Sequence, residues 1–213
     1  MADARVKPVW KWLGAGAAVI AAGAAALYAR ERLTETPKYR LIEEDSDIEI
    51  RDYPRLLAAE TIQPGLREAA LEAGFKRLAD YIFARARGAA AGAAARTEGG
   101  DGRIAMTAPV LADPAPADAG WRTRFVMPAR YTRATLPNPP AGVAIVDIAP
   151  RRLAAIRFAG RADDALLDAK EASLRAWLKK RGIAATGDAE HGFYNAPFIP
   201  SLLRHNEVLI PIG

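Results

Sequence analysis

Twice along this chain, short segments of alternating apolar and polar residues lead into one helix-periodic segment and then into further alternating segments. Tyr39 to Glu43, Ile48 to Arg51 and Leu56 to Ile62 read as strands, with Asp45-Ser46-Asp47 as the turn between the first two. Pro64-Gly65 opens a helix whose Leu71, Phe75, Leu78 and Ile82 fall on one stripe beside Ala79 and Phe83, ending near Arg87-Gly88. Strands resume at Arg103 to Val110 and Trp121 to Met127, with Asp113-Pro114-Ala115-Pro116 as a connector. The second half repeats the order: strands at Val143 to Ile148 and Leu153 to Phe158, a helix from Asp163 to Arg181, then strands at His191 to Asn195 and Asn206 to Ile212. Leu167, Leu174 and Leu178 form the stripe of that helix, flanked by Leu166 and Trp177, and Asp163-Asp164 reads as its N-terminal cap. Two similar halves predict a pseudo-twofold α+β barrel, in which an antiparallel sheet curls and the helices pack outside it.

Two stretches fall outside this pattern. Residues 88 to 100, GAAAGAAARTEGG, carry nothing large enough to anchor them and read as a mobile surface loop. Residues 9 to 29 hold one charge, Lys11, and at about 1.5 Å per residue they reach roughly 30 Å, the thickness of a hydrocarbon core. Trp10, Trp12 and Tyr28 stand at its ends, where amphipathic rings favour the lipid interface. Residues 1 to 37 are therefore read as an N-terminal hydrophobic helix with its linker and residues 38 to 213 as one globular domain. A cleaved signal peptide, with Ala24-Ala25-Ala26 at the cleavage point, is the competing reading. The short basic leader Arg5, Lys7 and Lys11 places the domain on the periplasmic side of a single membrane anchor.

Composition then excludes chemistry. With no cysteine, the chain cannot build a disulfide framework, an iron–sulfur cluster, a thiol nucleophile or a c-type haem attachment. With two histidines, His191 and His205, it cannot build a three-histidine zinc site. Residues 1 to 37 hold five Lys/Arg and three Asp/Glu, leaving 25 against 22 on the domain with no dense cationic stripe, so a nucleic-acid partner is not expected. No phosphate loop or metal-spaced cluster appears, and an enzymatic role has little support.

Several segments together resemble the SOUL/haem-binding protein family: Tyr39-Arg-Leu-Ile-Glu43 with Ile48-Glu-Ile-Arg-Asp-Tyr-Pro54, Phe75-Lys-Arg-Leu-Ala-Asp-Tyr-Ile82, Ile104-Ala-Met-Thr-Ala-Pro-Val110, Phe125-Val-Met-Pro128, and Tyr194-Asn-Ala-Pro197 through Arg204-His-Asn-Glu-Val208. The resemblance implies a distorted antiparallel β-barrel with two flanking helices, related to bacterial effector-binding domains, and non-covalent binding of haem or another tetrapyrrole without catalysis. It also implies an apolar groove along the first helix. One branch of the family ligates iron through a histidine early in the domain, and this chain has none before His191. The groove positions carried over are Phe75, Ala79 and Phe83, with Ala79 and Asp80 standing where the family often has Met and Lys.

The apolar connection from Ala196 to Leu203 adds Phe198 and Ile199 as residues that cap a pocket, lie on the membrane or simply pack, and Arg204 with His205 would meet propionates or iron. His191 is a weaker candidate ligand, and Met106 and Met127 read as core rather than as thioether ligands. The alternative function is a membrane-anchored module on the same fold that docks a protein partner and holds no pigment.

Overall fold

The computed structural model describes residues 34–85, 102–196 and 199–213. Strands β1 (Arg40–Asp45), β2 (Ile48–Tyr53) and β3 (Leu56–Gln63) precede helix α1 (Arg67–Ile82). Strands β4 (Val110–Pro114), β5 (Trp121–Val126), β6 (Ala144–Ile148) and β7 (Arg151–Ala159) lead to helix α2 (Asp164–Lys180), and β8 (Glu190–Phe193) and β9 (His205–Ile212) complete the domain. Residues 1–33 of the expected N-terminal segment 1–37, and the expected loop 88–100, lie outside the described residues. Among the described residues no helix is long and apolar enough to cross a membrane.

The described strands form one antiparallel sheet in the order β1-β2-β7-β9-β8-β4-β5-β3-β6. Each half thus sends the strand that precedes its own helix-leading strand to the other half: β2 pairs with β7, and β6 pairs with β3. The sheet curls but does not close into the expected barrel, because its two edges are unsuited to pairing. On β6 the Ile145 carbonyl accepts from Arg133, and β1 carries four charges and a bulge between Leu41 and Glu43. Asp45, expected in the turn, is the last residue of β1 and accepts from the Trp177 indole N–H, while Glu43 pairs with Arg181.

Side chains alternate across the sheet, so each strand has one face toward the helices and one face turned inward. On the helix side, α2 covers Ile48, Ile50, Ile156, Val208 and Ile210 with Leu167, Leu174 and Leu178, the stripe read from its periodicity. The Asp163 carboxylate accepts from the Leu166 N–H, as a capping residue does. On the inner face Ala58 and Ile148 meet Leu153, Ala155 and Leu209, which shows how far the sheet has curled.

Helix α1 departs from its expected stripe. Its buried residues are Ala70, Gly74, Leu78, Ala79, Tyr81 and Ile82, a face rotated toward its small residues. Gly74 is the reason: a Cβ there would stand 2.5 Å from Thr123 Oγ1, so α1 lies against β3 and β5 at a distance no side chain permits. Phe75 is thereby turned out and is 40% exposed. The helix stops at Ile82, short of Arg87, because Ala84 takes a left-handed φ of 63°.

The strand expected at Arg103 to Val110 starts only at Val110 and runs through Pro114 instead. The residues before it are held singly, Ile104 N–H by the Ile82 carbonyl, Ala108 N–H by the Glu35 carbonyl, and Thr107 Oγ1 donating to the Val126 carbonyl. Pro109 has no N–H to extend a ladder. The Pro-rich crossing is tied to α1 by Tyr81 OH, which donates to the Pro137 carbonyl at 2.7 Å. Substituting Gly74→Ala should force α1 off the sheet and cost about 1–3 kcal/mol. Urea denaturation would show this as a lowered midpoint, and an unchanged midpoint would contradict the close approach.

Candidate functional site

The inner face is charged, although it is buried. Arg51 is clamped by Glu207 through two hydrogen bonds of 2.8 Å and donates to Glu49 at 2.6 Å. Tyr194 OH donates to Glu207 at 2.7 Å, and His205 Nε2 lies 3.1 Å from the same carboxylate. The Tyr194 and His205 rings stack in parallel with centroids 4.0 Å apart. Tyr39 closes the cluster, its ring under the Arg51 guanidinium and its hydroxyl donating to Glu49. A second cluster joins Arg124 to Glu190 at 2.8 Å and to Asp113, with Arg151 making two bonds to Glu190 of 2.9 and 2.7 Å. Between them a cavity of about 20 Å³ opens beside Tyr53, Leu56, Leu153 and Leu209, which is room for a water rather than a macrocycle.

Burial by itself pushes the Glu207 carboxyl up, but hydrogen bonds from His205, Arg51 and Tyr194 and the Arg51 charge outweigh it and hold the group at about 2. The same contest, led by burial and reversed by Arg151, leaves Glu190 below its ordinary value. Burial pushes the Tyr53 hydroxyl up to about 12, so it stays protonated as a neutral partner for Arg51.

The helix side carries a different surface. Phe125, Val110, Phe193 and Asn206 occupy consecutive cross-strand positions from β5 to β9 and share the face that the helices cover. Phe75 of α1 packs edge-on against Phe125, ring centroids 5.3 Å apart, while Val110 and Phe193 stay half-buried. From Phe125 to Phe193 the strip crosses two strand spacings, roughly 10 Å. At Phe193 β8 ends and the chain enters the connection that contains Ile199. Phe75, Phe125, Val110 and Phe193 offer flat and branched apolar surface with neither proton donor nor acceptor on their side chains.

The expected site residues separate into two groups. Phe75, Ala79 and Phe83 stand with the α1 core: Phe75 half-exposed, Ala79 buried, and Phe83 packed on the cluster around Leu78 and Phe125 with Arg85 over its ring. Ile199 is buried and its carbonyl accepts from Arg204 Nε at 2.8 Å. His205 belongs to the inner face with Glu207, the side of the sheet away from the strip. The structure therefore does not bring His205 to the α1 groove, since strand alternation turns it inward. Phe198 lies outside the described residues. Met127 is buried and Met106 packs against the same core.

The histidine on the helix-covered face is His191. It is 7% exposed, stacked 5.9 Å from Trp121 and edge-on to Phe193, and its Nδ1 is buried with no hydrogen-bond partner. Burial, and then the Arg67 charge, lower its pKa below the ordinary value, so the ring is neutral near pH 7. Among the described residues no group of three His, Asp or Glu side chains is placed to hold a metal. Val110, Phe193 and the inner-face carboxylates were missed in the sequence. Alternation along the strand sets Glu207 on the face of Leu209, while the pairing that brings Phe193 beside Val110 is visible only in the fold.

The Arg51–Glu207 pair has a pH signature. Glu207 titrates near 4.5 in an unfolded chain and at about 2 in the fold, so the stability it contributes is complete above 4.5 and is lost as pH falls toward 2. Glu207→Gln should flatten the acid limb of the stability profile in that window. It should also cost about 3 kcal/mol at neutral pH, the low end for breaking a buried pair because Glu49 still faces Arg51. Urea midpoints measured from neutral pH to pH 2 would check both, and an unchanged acid limb would contradict the assignment.

A family model described as SOUL heme-binding protein matches residues 34–211. Comparison with curated proteins gives no match. Among solved structures the chain is similar to one in the cryo-EM structure of the EcmrR–DNA complex in EcmrR-RPo, with a TM-score of 0.56 and 10% identity over 96% of this chain and 68% of that one. It is also similar to the EcmrR C-terminal domain, with a TM-score of 0.51 and 12% identity over 82% and 98%, and to a hydrolase from Listeria innocua, with a TM-score of 0.50 and 12% identity over 81% and 94%. At these identities the likeness is one of fold. The family match spans the whole described domain, from before β1 into β9, and the chain belongs to the SOUL haem-binding protein family.

Proposed function

We propose that this protein binds haem or a related tetrapyrrole, without catalysis, on the strip formed by Phe75, Val110 and Phe193 over Phe125. The observation that carries the reading is Phe75 itself. Gly74 turns α1 so that a large aromatic ring is left 40% exposed beside other half-buried apolar residues, in a chain whose family is described by haem binding. An exposed ring of this size forfeits roughly 25 cal/mol per Å² of apolar surface that a flat ligand would cover. The residues fit such a group as a stacked cargo: Phe75 offers a ring plane or edge, and Val110 and Phe193 a floor.

Capture is by apolar contact and exclusion of water. Coordination by His205 is not part of the reading, because that ring is stacked on Tyr194 and bonded to Glu207 on the inner face. Transport, buffering or sensing are the roles open to a carrier of this kind. Residues 9 to 29 tether the domain to a membrane, with the basic leader before them favouring a periplasmic domain.

Hemin titrated into the full-length protein in mild detergent should give a saturable one-to-one change in the Soret band. Phe75→Asp should weaken it by about tenfold or more, the cost of setting a charge against an apolar ligand. His205→Ala should leave the spectrum unchanged. Absence of saturation at micromolar protein would remove the haem assignment, and equal affinity in Phe75→Asp would move the site elsewhere.

A further inference from the structure

Helix α1 lies over β3 and β5 and helix α2 over β7 and β9, so β4 and β8, the strands between them, run beneath the gap between the helices. The gap is bridged at the two first turns. Arg67 of α1 bonds to Asp164 and, at 3.2 Å, to the Ala162 carbonyl, and Glu68 pairs with Arg161. Under the gap the cross-strand pair Ala112↔His191 follows Val110↔Phe193 on the same face, two residues or roughly 7 Å along the strands. His191 therefore borders the apolar strip, and Arg67, whose charge bears on its ring, is the residue that bridges the helices.

The packing of this imidazole leaves one of its atoms unused. The ring stacks on Trp121 and meets Phe193 edge-on, and Nδ1 is buried with no hydrogen-bond partner. Buried polar atoms are nearly always paired, and an unpaired one costs its full desolvation. A phenylalanine would fill an aromatic slot of this kind without that cost. Burial and then the Arg67 charge keep the ring neutral near pH 7, so one nitrogen holds the proton and the other keeps its lone pair for a bond. The second histidine of the chain, His205, is already bonded to Glu207 on the opposite face.

We infer that the His191 imidazole is the protein's ligand to the metal of a tetrapyrrole seated on the strip of Phe75, Val110 and Phe193. This inference rests on the strip reading proposed above and adds one bond to it. Apolar contact alone holds metal-free and metal-bearing rings alike, whereas His191 makes the site favour the metallated ring. Contact requires the Arg67 bridge to part. Asp164 is largely exposed, so water weakens that ion pair, and Gly74 and Leu167 keep the two helices on the sheet while it opens.

The test is to titrate the full-length protein in mild detergent with hemin and, separately, with metal-free protoporphyrin. The hemin complex, reduced with dithionite, is then examined by resonance Raman spectroscopy for an iron–histidine stretch. The expected result is a stretch in the wild type and in H205A that is absent from H191A. Hemin affinity should fall by about tenfold or more in H191A while protoporphyrin affinity stays unchanged. Because the chain has two histidines, a stretch retained in H205A assigns it to His191 even where H191A does not fold. Saturable hemin binding with no stretch in the wild type, a stretch that survives in H191A, or one lost in H205A alone would overturn the ligation and leave the strip reading standing. Failure of both hemin and protoporphyrin to saturate would remove the strip reading, and the ligation falls with it.

Discussion

Because the sheet curls until Ala58 and Ile148 meet Leu153 and Leu209, the inward polar residues of its central strands are withdrawn from water and have to be satisfied from within. The Arg51–Glu207 pair is the main solution to that constraint. Its guanidinium and carboxylate are 2% and 1% exposed, joined by two parallel hydrogen bonds and completed by Glu49, Tyr53, Tyr194 and His205. A buried pair of charges recovers its desolvation only when nearly every remaining donor and acceptor is also met. The tyrosines and His205 serve that end.

With the inner face closed by its own charges, half-exposed apolar surface is left on the other side, where two helices lie on one sheet. There the decisive residue is the smallest. Gly74 brings α1 down onto Thr61 and Thr123, and leaves Phe75 at the margin of the core, half-exposed and edge-on to Phe125. The packing of α1 and the exposure of Phe75 are thus coupled through one missing side chain.

How legible all this was in the sequence depended on whether local periodicity and tertiary burial agreed. For α2 they did, since its alanines, Ala165, Ala169, Ala172 and Ala176, all stay exposed and Leu167, Leu174 and Leu178 are buried, and the stripe, its Asp163 cap and its length follow from the residues alone. For α1 the large apolar residues suggested Phe75 as a core position, and only the approach of β5 shows that Ala70 and Gly74 face the sheet. The two-half order was readable, but the exchange of β2 and β6 between halves and the open edges were not, because pairing partners are set far along the chain. Alternation in Ile48-Glu49-Ile50-Arg51 and in His205-Asn206-Glu207-Val208 gave the strands correctly. It also made the charged positions look solvent-facing, which holds for a flat sheet and fails for one that curls. For the same reason Arg204 and His205 read as a pair at one site, although the turn of one residue along β9 puts His205 on the face opposite Phe75.

The central claim is that a tetrapyrrole lies on the helix-covered strip and not within the curl of the sheet. Paramagnetic broadening of methyl resonances by ferric protoporphyrin tests it most directly, because Val110 and Leu153 report from opposite faces of one sheet. The account predicts strong broadening of the Val110 methyls, with those of Leu153 and Leu209 remaining sharp. Broadening that begins at Leu153 and Leu209, or that is uniform across both faces, would contradict it.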